Sequence, residues 1–346
     1  MLAHICQKFT IPDFLATGPK TVAEIAAHMQ TKDVQRVERL MYALAADGMT
    51  QLEKNSPDPK APRFVNSALS ATLRTDHPNS MRGFVGHNID EMWNVWGALP
   101  QMFGSEAKES AWDIAWPEHP HDKGGIWNLF EADSVREEQF GRAMMAIEAL
   151  GGMAMAADGP FYKFDRFIDI GGSHGHFLYK VISANPDKEG ILFDRSHVLS
   201  NARKLWNESG GLYHDGTHKR LSIVEGNFFD ERTIPEAKDG DVYYMRYILH
   251  DWGKEDCLSI LKNIKKQMGN KKATLLIGEC ALPDRDTVGV PPIMYHIDIQ
   301  MMAAFGDAME RTPTMWKELL MEAGFDLVAI HPTRSIVHWV EAVPLP

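Results

Sequence analysis

In residues 1–75 the apolar positions recur at helical spacing. Val34, Val37, Leu40, Met41 and Leu44 share one face and predict a helix that Gly48 ends. Ahead of it, Thr21-Val-Ala-Glu24 has the form of a capping box and predicts a short helix over Val22–His28. Met49–Glu53 and Arg63–Asn66 then read as two strands around a polar, proline-rich turn, Ser56–Pro62. Helices followed by a hairpin make a winged-helix pattern. Residues 76–158 read as mostly helical and aromatic-rich, with Trp93, Trp96, Trp112, Trp116 and Trp127, and with an irregular stretch from Ser105 to Gly125. From Phe164 onward, strand-length apolar runs alternate with helical stretches, the mark of a parallel sheet. The predicted strands are Arg166–Ile170, Gly190–Asp194, Leu221–Glu225, Asp241–Arg246 and Ala273–Glu279, closed by an antiparallel pair, Phe325–His331 and Ile336–Val343. The expected fold class is α/β: a Rossmann-like doubly wound sheet with a terminal antiparallel hairpin, preceded by a helical winged-helix domain. Three parts are expected: 1–75, a connection over 76–158 that roofs the crevice of the sheet, and 159–346.

Charge changes the reading of the first part. A winged helix in isolation suggests DNA binding, but the candidate recognition helix sets Asp33, Glu38 and Asp47 against Lys32, Arg36 and Arg39. The net charge of the chain is −11. Both features disfavour a nucleic-acid partner and point to protein contact, here dimerisation. No apolar run approaches the ~18 residues of a membrane span. Met1–Lys8 lacks the cationic start and cleavage site of a signal peptide. Cys6, Cys257 and Cys280 are odd in number and far apart, which suits a reduced, cytoplasmic setting and gives no disulfide or zinc framework. His119-Pro-His121 lacks further clustered ligands, so no metal is expected. The 19 methionines read as soft core packing, with Met144-Met145, Met153, Met155 and Met301-Met302 also suited to an adaptable pocket.

The strand ending at Ile170 runs into Gly171-Gly-Ser-His-Gly175 and then a helical pattern, a unit that makes a nucleotide crevice at the carboxyl edge of a parallel sheet. Asp194 ends the next apolar run, where an acid can accept both hydroxyls of a ribose. A dinucleotide needs G-x-G-x-x-G to seat its pyrophosphate on the helix N-terminus. Here Asp169 leads a D-x-G-x-x-x-G form with Gly172 between, and that acid repels a pyrophosphate but can help hold an ammonium group. The spacing suits S-adenosylmethionine and not a nicotinamide cofactor.

Other strand ends are chemically rich as well. Gly226-Asn227-Phe228-Phe229 follows the third strand, Arg246-Tyr-Ile-Leu-His250-Asp-Trp252 the fourth, and Glu279-Cys280 ends the fifth. Met309-Glu310-Arg311-Thr312 lies downstream. His250 is a candidate general base, since imidazole titrates near neutrality. Glu279 and Glu310, if they converge on it, would fix its tautomer and stabilise its charged form.

These segments resemble the plant caffeate and acetylserotonin type of metal-independent, S-adenosylmethionine-dependent O-methyltransferase. The resemblance runs through Asp169–Gly175, Phe193-Asp194, Gly226–Phe229, Leu249-His-Asp-Trp252, Gly278-Glu-Cys280 and Glu310-Arg-Thr312. It extends to Ile11-Pro-Asp-Phe-Leu15 and Gly18-Pro-Lys-Thr21. It implies that Gly171, Asp194, Asn227, Phe228 and Arg246 bind the cofactor, with Asp194 on the ribose, Asn227 on the adenine amine and Trp252 walling the adenine. Asp169, Gly172 and Gly175 complete that set. It implies that His250 deprotonates a small hydroxylated, aromatic acceptor between Glu279 and Glu310, and that the N-terminal part forms a homodimer and lends residues to the partner's pocket. The acceptor pocket is expected from His87, Trp93, Phe140, Met144, Met145, His296 and Met302. Three features depart from the family pattern: Ser173 replaces a glycine, Asn227 replaces an acid, and a further helical segment usually stands ahead of Met1-Leu-Ala-His4. The last leaves a reduced dimer interface or a shortened chain. Related readings are methylation of a thioether acid, with Arg82 or Arg311 binding the carboxylate, and a winged-helix regulator carrying an inactive methyltransferase domain.

Overall fold

The computed structural model of the chain describes residues 1–54, 56, 58, 60–104, 109–207, 215–284, 287 and 289–346. Pro57 and Pro59 of the predicted turn and residues 105–108 of the irregular stretch lie outside the described residues. The chain forms two compact units, residues 1–94 with 133–149, and residues 95–132 with 150–346. The segment 76–158 is thus divided between them.

In the first unit Thr21 caps the helix Val22–His28, its side chain taking the Glu24 amide while Glu24 takes the Thr21 amide. Such a cap contributes about 1 kcal/mol. The helix Val34–Ala46 follows, with Asp33 as its N-cap. Strands β1 (Lys20–Thr21), β2 (Thr50–Leu52) and β3 (Arg63–Asn66) form a small antiparallel sheet in the order β1-β3-β2. Ile25, Val37, Met41, Leu44 and Phe64 belong to its apolar core. The strand β1 was not expected from sequence; two residues are too few to show a period.

The second unit carries β4 (Arg166–Ile170), β5 (Glu189–Asp194), β6 (Leu221–Glu225), β7 (Asp241–Arg246), β8 (Thr274–Cys280), β9 (Phe325–His331) and β10 (Val337–Pro344). Their order is β6-β5-β4-β7-β8-β10-β9. The first five pair in parallel, and β10 inserts antiparallel between β8 and β9. The central strands are buried on both faces, as their unbroken apolar runs require. Two cores result, one around Ile168, Met245, Ile277 and Trp316, the other around Phe161, Phe177, Tyr244 and Trp339. The chain reverses direction across the sheet beside β4, whose carboxyl end and that of β7 therefore border one crevice. Among the described residues no helix is long and apolar enough to cross a membrane.

Candidate active site

The glycine turn after β4 is held by the strand beside it. The amides of Gly171 and Gly172 donate to the Phe193 carbonyl, at 2.8 and 3.3 Å. Gly171 has φ +73°, and a Cβ there would stand 2.6 Å from Ile248, in the turn that follows β7. Only glycine lets the two turns approach so closely. Asp194, at the end of β5, takes the Ser173 amide on one oxygen (2.8 Å) and the Arg195 amide on the other (2.7 Å). Each oxygen keeps a lone pair for a further donor. Ser173 adopts φ +53°, so serine takes up the left-handed geometry where a glycine was expected. Asp169 is buried, its carboxyl lying directly beneath Gly172.

Aromatic rings wall the same edge. Trp252 meets Phe229 and Phe228 edge-on, with centroids 4.9 and 5.8 Å apart, and lies parallel to Trp127 at 6.4 Å. The Arg246 guanidinium lies over the rings of Phe177 and Tyr247, at 4.7 and 5.1 Å. Asn227 is exposed, and its side-chain oxygen closes a local turn by accepting the Phe229 amide (3.0 Å).

The turn after β7 carries the histidine. Gly278 admits the Trp339 ring from the paired strand β10, since a Cβ would meet that ring at 2.6 Å. The strand thereby presents Glu279, fully buried, to the β7 turn. Glu279 Oε1 accepts the amides of both Ile248 and Leu249, each at 3.0 Å. His250 donates from Nδ1 to Glu310 Oε1 at 2.7 Å, and the same nitrogen stands 3.5 Å from Glu279 Oε2. Its Nε2 is 3.4 Å from Asp251 Oδ1. Both predicted acids therefore converge on His250, and Asp251, its neighbour in the chain, adds a third that was not expected there.

Burial alone would weaken the imidazolium. The charges of Glu279, Glu310 and Asp251 and the hydrogen bond to Glu310 outweigh it and push His250 up to about 10. Burial likewise raises Asp251 to about 7 and Glu279 to about 6. Glu279 Oε2 and Glu310 Oε2 have no hydrogen-bond partner among the described residues. His250, Glu279 and Glu310 present ligand-type atoms within 4.8 Å of one another. The arrangement is an ion-paired hydrogen-bond network.

Other expected residues lie elsewhere. Arg311 is buried, and its guanidinium donates to the carbonyls of Leu249 (2.9 Å) and Trp252 (3.1 Å). It braces the His250 turn and is not placed to take a substrate carboxylate. Arg82 pairs with Asp13 at 3.5 Å in the first unit. In that unit His87 is buried against Phe140 and bonded to Glu91 (3.1 Å), Trp93 is exposed, and Met144 and Met145 are partly buried. In the second unit His296 is exposed and Met302 partly buried. His119 bonds Asn128, whereas His121 bonds Ser110, Asp113 and the Ala304 carbonyl, so the two rings serve different contacts.

Residues 96–326 match the model of the O-methyltransferase domain, and residues 2–76 that of the O-methyltransferase dimerisation domain. The chain is 31% identical over 350 residues to the phenazine O-methyltransferase of Lysobacter antibioticus, covering 99% of this chain and 92% of that protein. It is 30% identical over 340 residues to the 8-amino-8-demethylriboflavin N,N-dimethyltransferase of Streptomyces davaonensis, covering 95% and 87%. The crystal structure of LaPhzM superposes with a TM-score of 0.86 at 27% identity, over 99% of this chain and 95% of that one. The chain belongs to the S-adenosylmethionine-dependent O-methyltransferase family, with that family's dimerisation domain at its N-terminus.

Proposed function

We propose that this methyltransferase alkylates a hydroxyl of a small aromatic acceptor and that His250 takes the acceptor's proton. The observation that carries the reading is the juxtaposition of two turns. The glycine turn touches Ile248, two residues from a buried imidazole bonded to Glu310. S-adenosylmethionine, bound along the glycine turn, supplies a methyl group activated by its sulfonium. The residues present fit that cofactor: Asp194 is fixed by two amides with capacity left for a ribose, and Phe228 and Trp252 offer apolar faces to a base. Arg246 lies along the same edge. Asn227 contributes through its side-chain oxygen, which accepts the Phe229 amide and keeps a second lone pair for the adenine amine.

The chain's own part in the reaction is alignment and proton removal. Holding donor and acceptor in line can supply on the order of 7–11 kcal/mol of barrier lowering. A phenol ordinarily titrates near pH 10, close to the raised value of His250, so the two are matched for proton transfer and the imidazole takes the proton only from its neutral form. Glu279 and Glu310 keep the imidazole in one tautomer and stabilise the charge it gains. Trp93, Phe140, Met144, Met145, His296 and Met302 remain the candidate acceptor contacts, His87 being taken up by its bond to Glu91, and the N-terminal unit remains the candidate homodimer contact.

An amine acceptor is the second reading, because one relative is named an N,N-dimethyltransferase. The thioether-acid reading loses a proposed cation, Arg311, to the backbone of the His250 turn. The test is turnover with S-adenosylmethionine against pooled phenols, aromatic amines and thioether acids, read by mass spectrometry. A methyl ether is the expected product. A methylamine or methylsulfonium as the sole product overturns the oxygen reading.

A further inference from the structure

Tyr247 has a backbone conformation that bulky side chains seldom adopt, φ +57°. Its amide donates to the Gly278 carbonyl at 3.1 Å, which carries the β7–β8 ladder one residue past Arg246. The left-handed step then sends the next two amides, those of Ile248 and Leu249, onto Glu279. A glycine would make that step without steric cost. The turn accounts for the conformation, then, but not for the tyrosine.

The ring accounts for it. It lies nearly parallel to the His250 imidazole, with centroids 5.5 Å apart and planes at 26°. Arg246 covers it at 5.1 Å. The hydroxyl makes no hydrogen bond among the described residues, and burial raises the phenol, so the group stays neutral. We infer that Tyr247 is a positioning residue for methyl transfer, its stacked ring fixing the plane of the His250 imidazole. Glu310 fixes the ring of His250 at Nδ1 by a hydrogen bond, while Glu279 and Asp251 stand 3.5 and 3.4 Å from Nδ1 and Nε2 as charges only. A single hydrogen bond at Nδ1 leaves rotation of the ring about that bond free. A stacked face opposes that rotation and also favours the charged form of the ring. Arg246 behind Tyr247, Arg311 on the turn's carbonyls, and Asp298 on the Glu310 amide are the other charged groups around this cluster.

The test compares Tyr247→Phe with Tyr247→Leu in the full chain, both first checked for S-adenosylmethionine binding by calorimetry. The Phe variant keeps the ring and should keep wild-type turnover. The Leu variant should lose kcat by about ten-fold, with KM for the donor little changed. Its His250 titration, followed by NMR of labelled histidine, should fall by about half a pH unit. The kinetic arm rests on His250 being the base; the NMR arm does not. A shifted titration with unchanged kcat supports the stacking and overturns the base reading. Unchanged titration and kcat in the Leu variant overturn the inference, even if the melting temperature drops. So does a Phe variant as impaired as Leu.

Discussion

Two buried histidine–glutamate pairs among the described residues differ in where the compensating charge sits. His87 and Glu91 are one helical turn apart, 3.1 Å between Nδ1 and Oε2. The other oxygen of Glu91 receives Arg136 at 2.6 Å. That acid is fully buried but met by a guanidinium, and the cluster ties two helical segments together. His250 gathers its acids from three separate segments, and Arg311, which braces the same turn, faces carbonyls instead of carboxylates. The proton affinity of three acids therefore converges on one imidazole. The contrast separates a structural tie from a site poised to move a proton, although both read in the sequence as a histidine near acids.

The largest expected effect tests that contrast directly. His250→Ala should reduce kcat by roughly 10²–10⁴-fold, whereas His87→Ala should leave kcat near wild type and lower the unfolding midpoint. Equal losses of kcat would erase the distinction. Arg136→Met strips the guanidinium from a carboxylate with no solvent access, and urea unfolding should show a loss of about 3 kcal/mol, the low end for such pairs because Arg136 is itself partly exposed. A loss below about 1 kcal/mol would show that Glu91 is satisfied without the guanidinium, by partners such as His87 and Gln139. Asp194→Asn should weaken S-adenosylmethionine binding by about 10–100-fold in calorimetry, the worth of charge-assisted hydrogen bonds; unaltered affinity would remove Asp194 from the donor site. The smallest effect is expected at Trp93, which is 48% exposed. Trp93→Ala should change stability by under about 0.5 kcal/mol, and a raised KM for the acceptor alone would mark it as a pocket residue.

Much of the fold was legible because its signals are local. The capping box at Thr21, the strands Arg166–Ile170, Leu221–Glu225 and Asp241–Arg246, and the antiparallel close of the sheet all carry their own pattern of burial. The convergence of Glu279 and Glu310 on His250 was legible only through strand-end logic and the family resemblance. Other features were not legible. Nothing in a sequence marks Tyr247 as left-handed, since residues of its shape are rarely so. Arg311 reads as a free cation until its carbonyl partners are seen. His87 reads as a pocket residue until Glu91 and Arg136 enclose it. In each case the deciding partner is distant in sequence or set by backbone geometry, where periodicity carries no information.

The central claim is that His250 holds its proton among carboxylates and must release it to act. Its folded value, about 10, lies above the ordinary histidine value of 6.5. The raised value means that its ionic contribution to stability is complete below about 6.5 and is lost as pH climbs through about 10. The base-competent fraction rises over the same window. The decisive measurement is the pH dependence of kcat/KM for the wild type and for Glu310→Gln with one phenolic acceptor. The account predicts a wild-type ascending limb well above 6.5 that moves to lower pH when Glu310 loses its charge. The acceptor's own ionisation cannot produce such a movement. Identical limbs in the two proteins would contradict it.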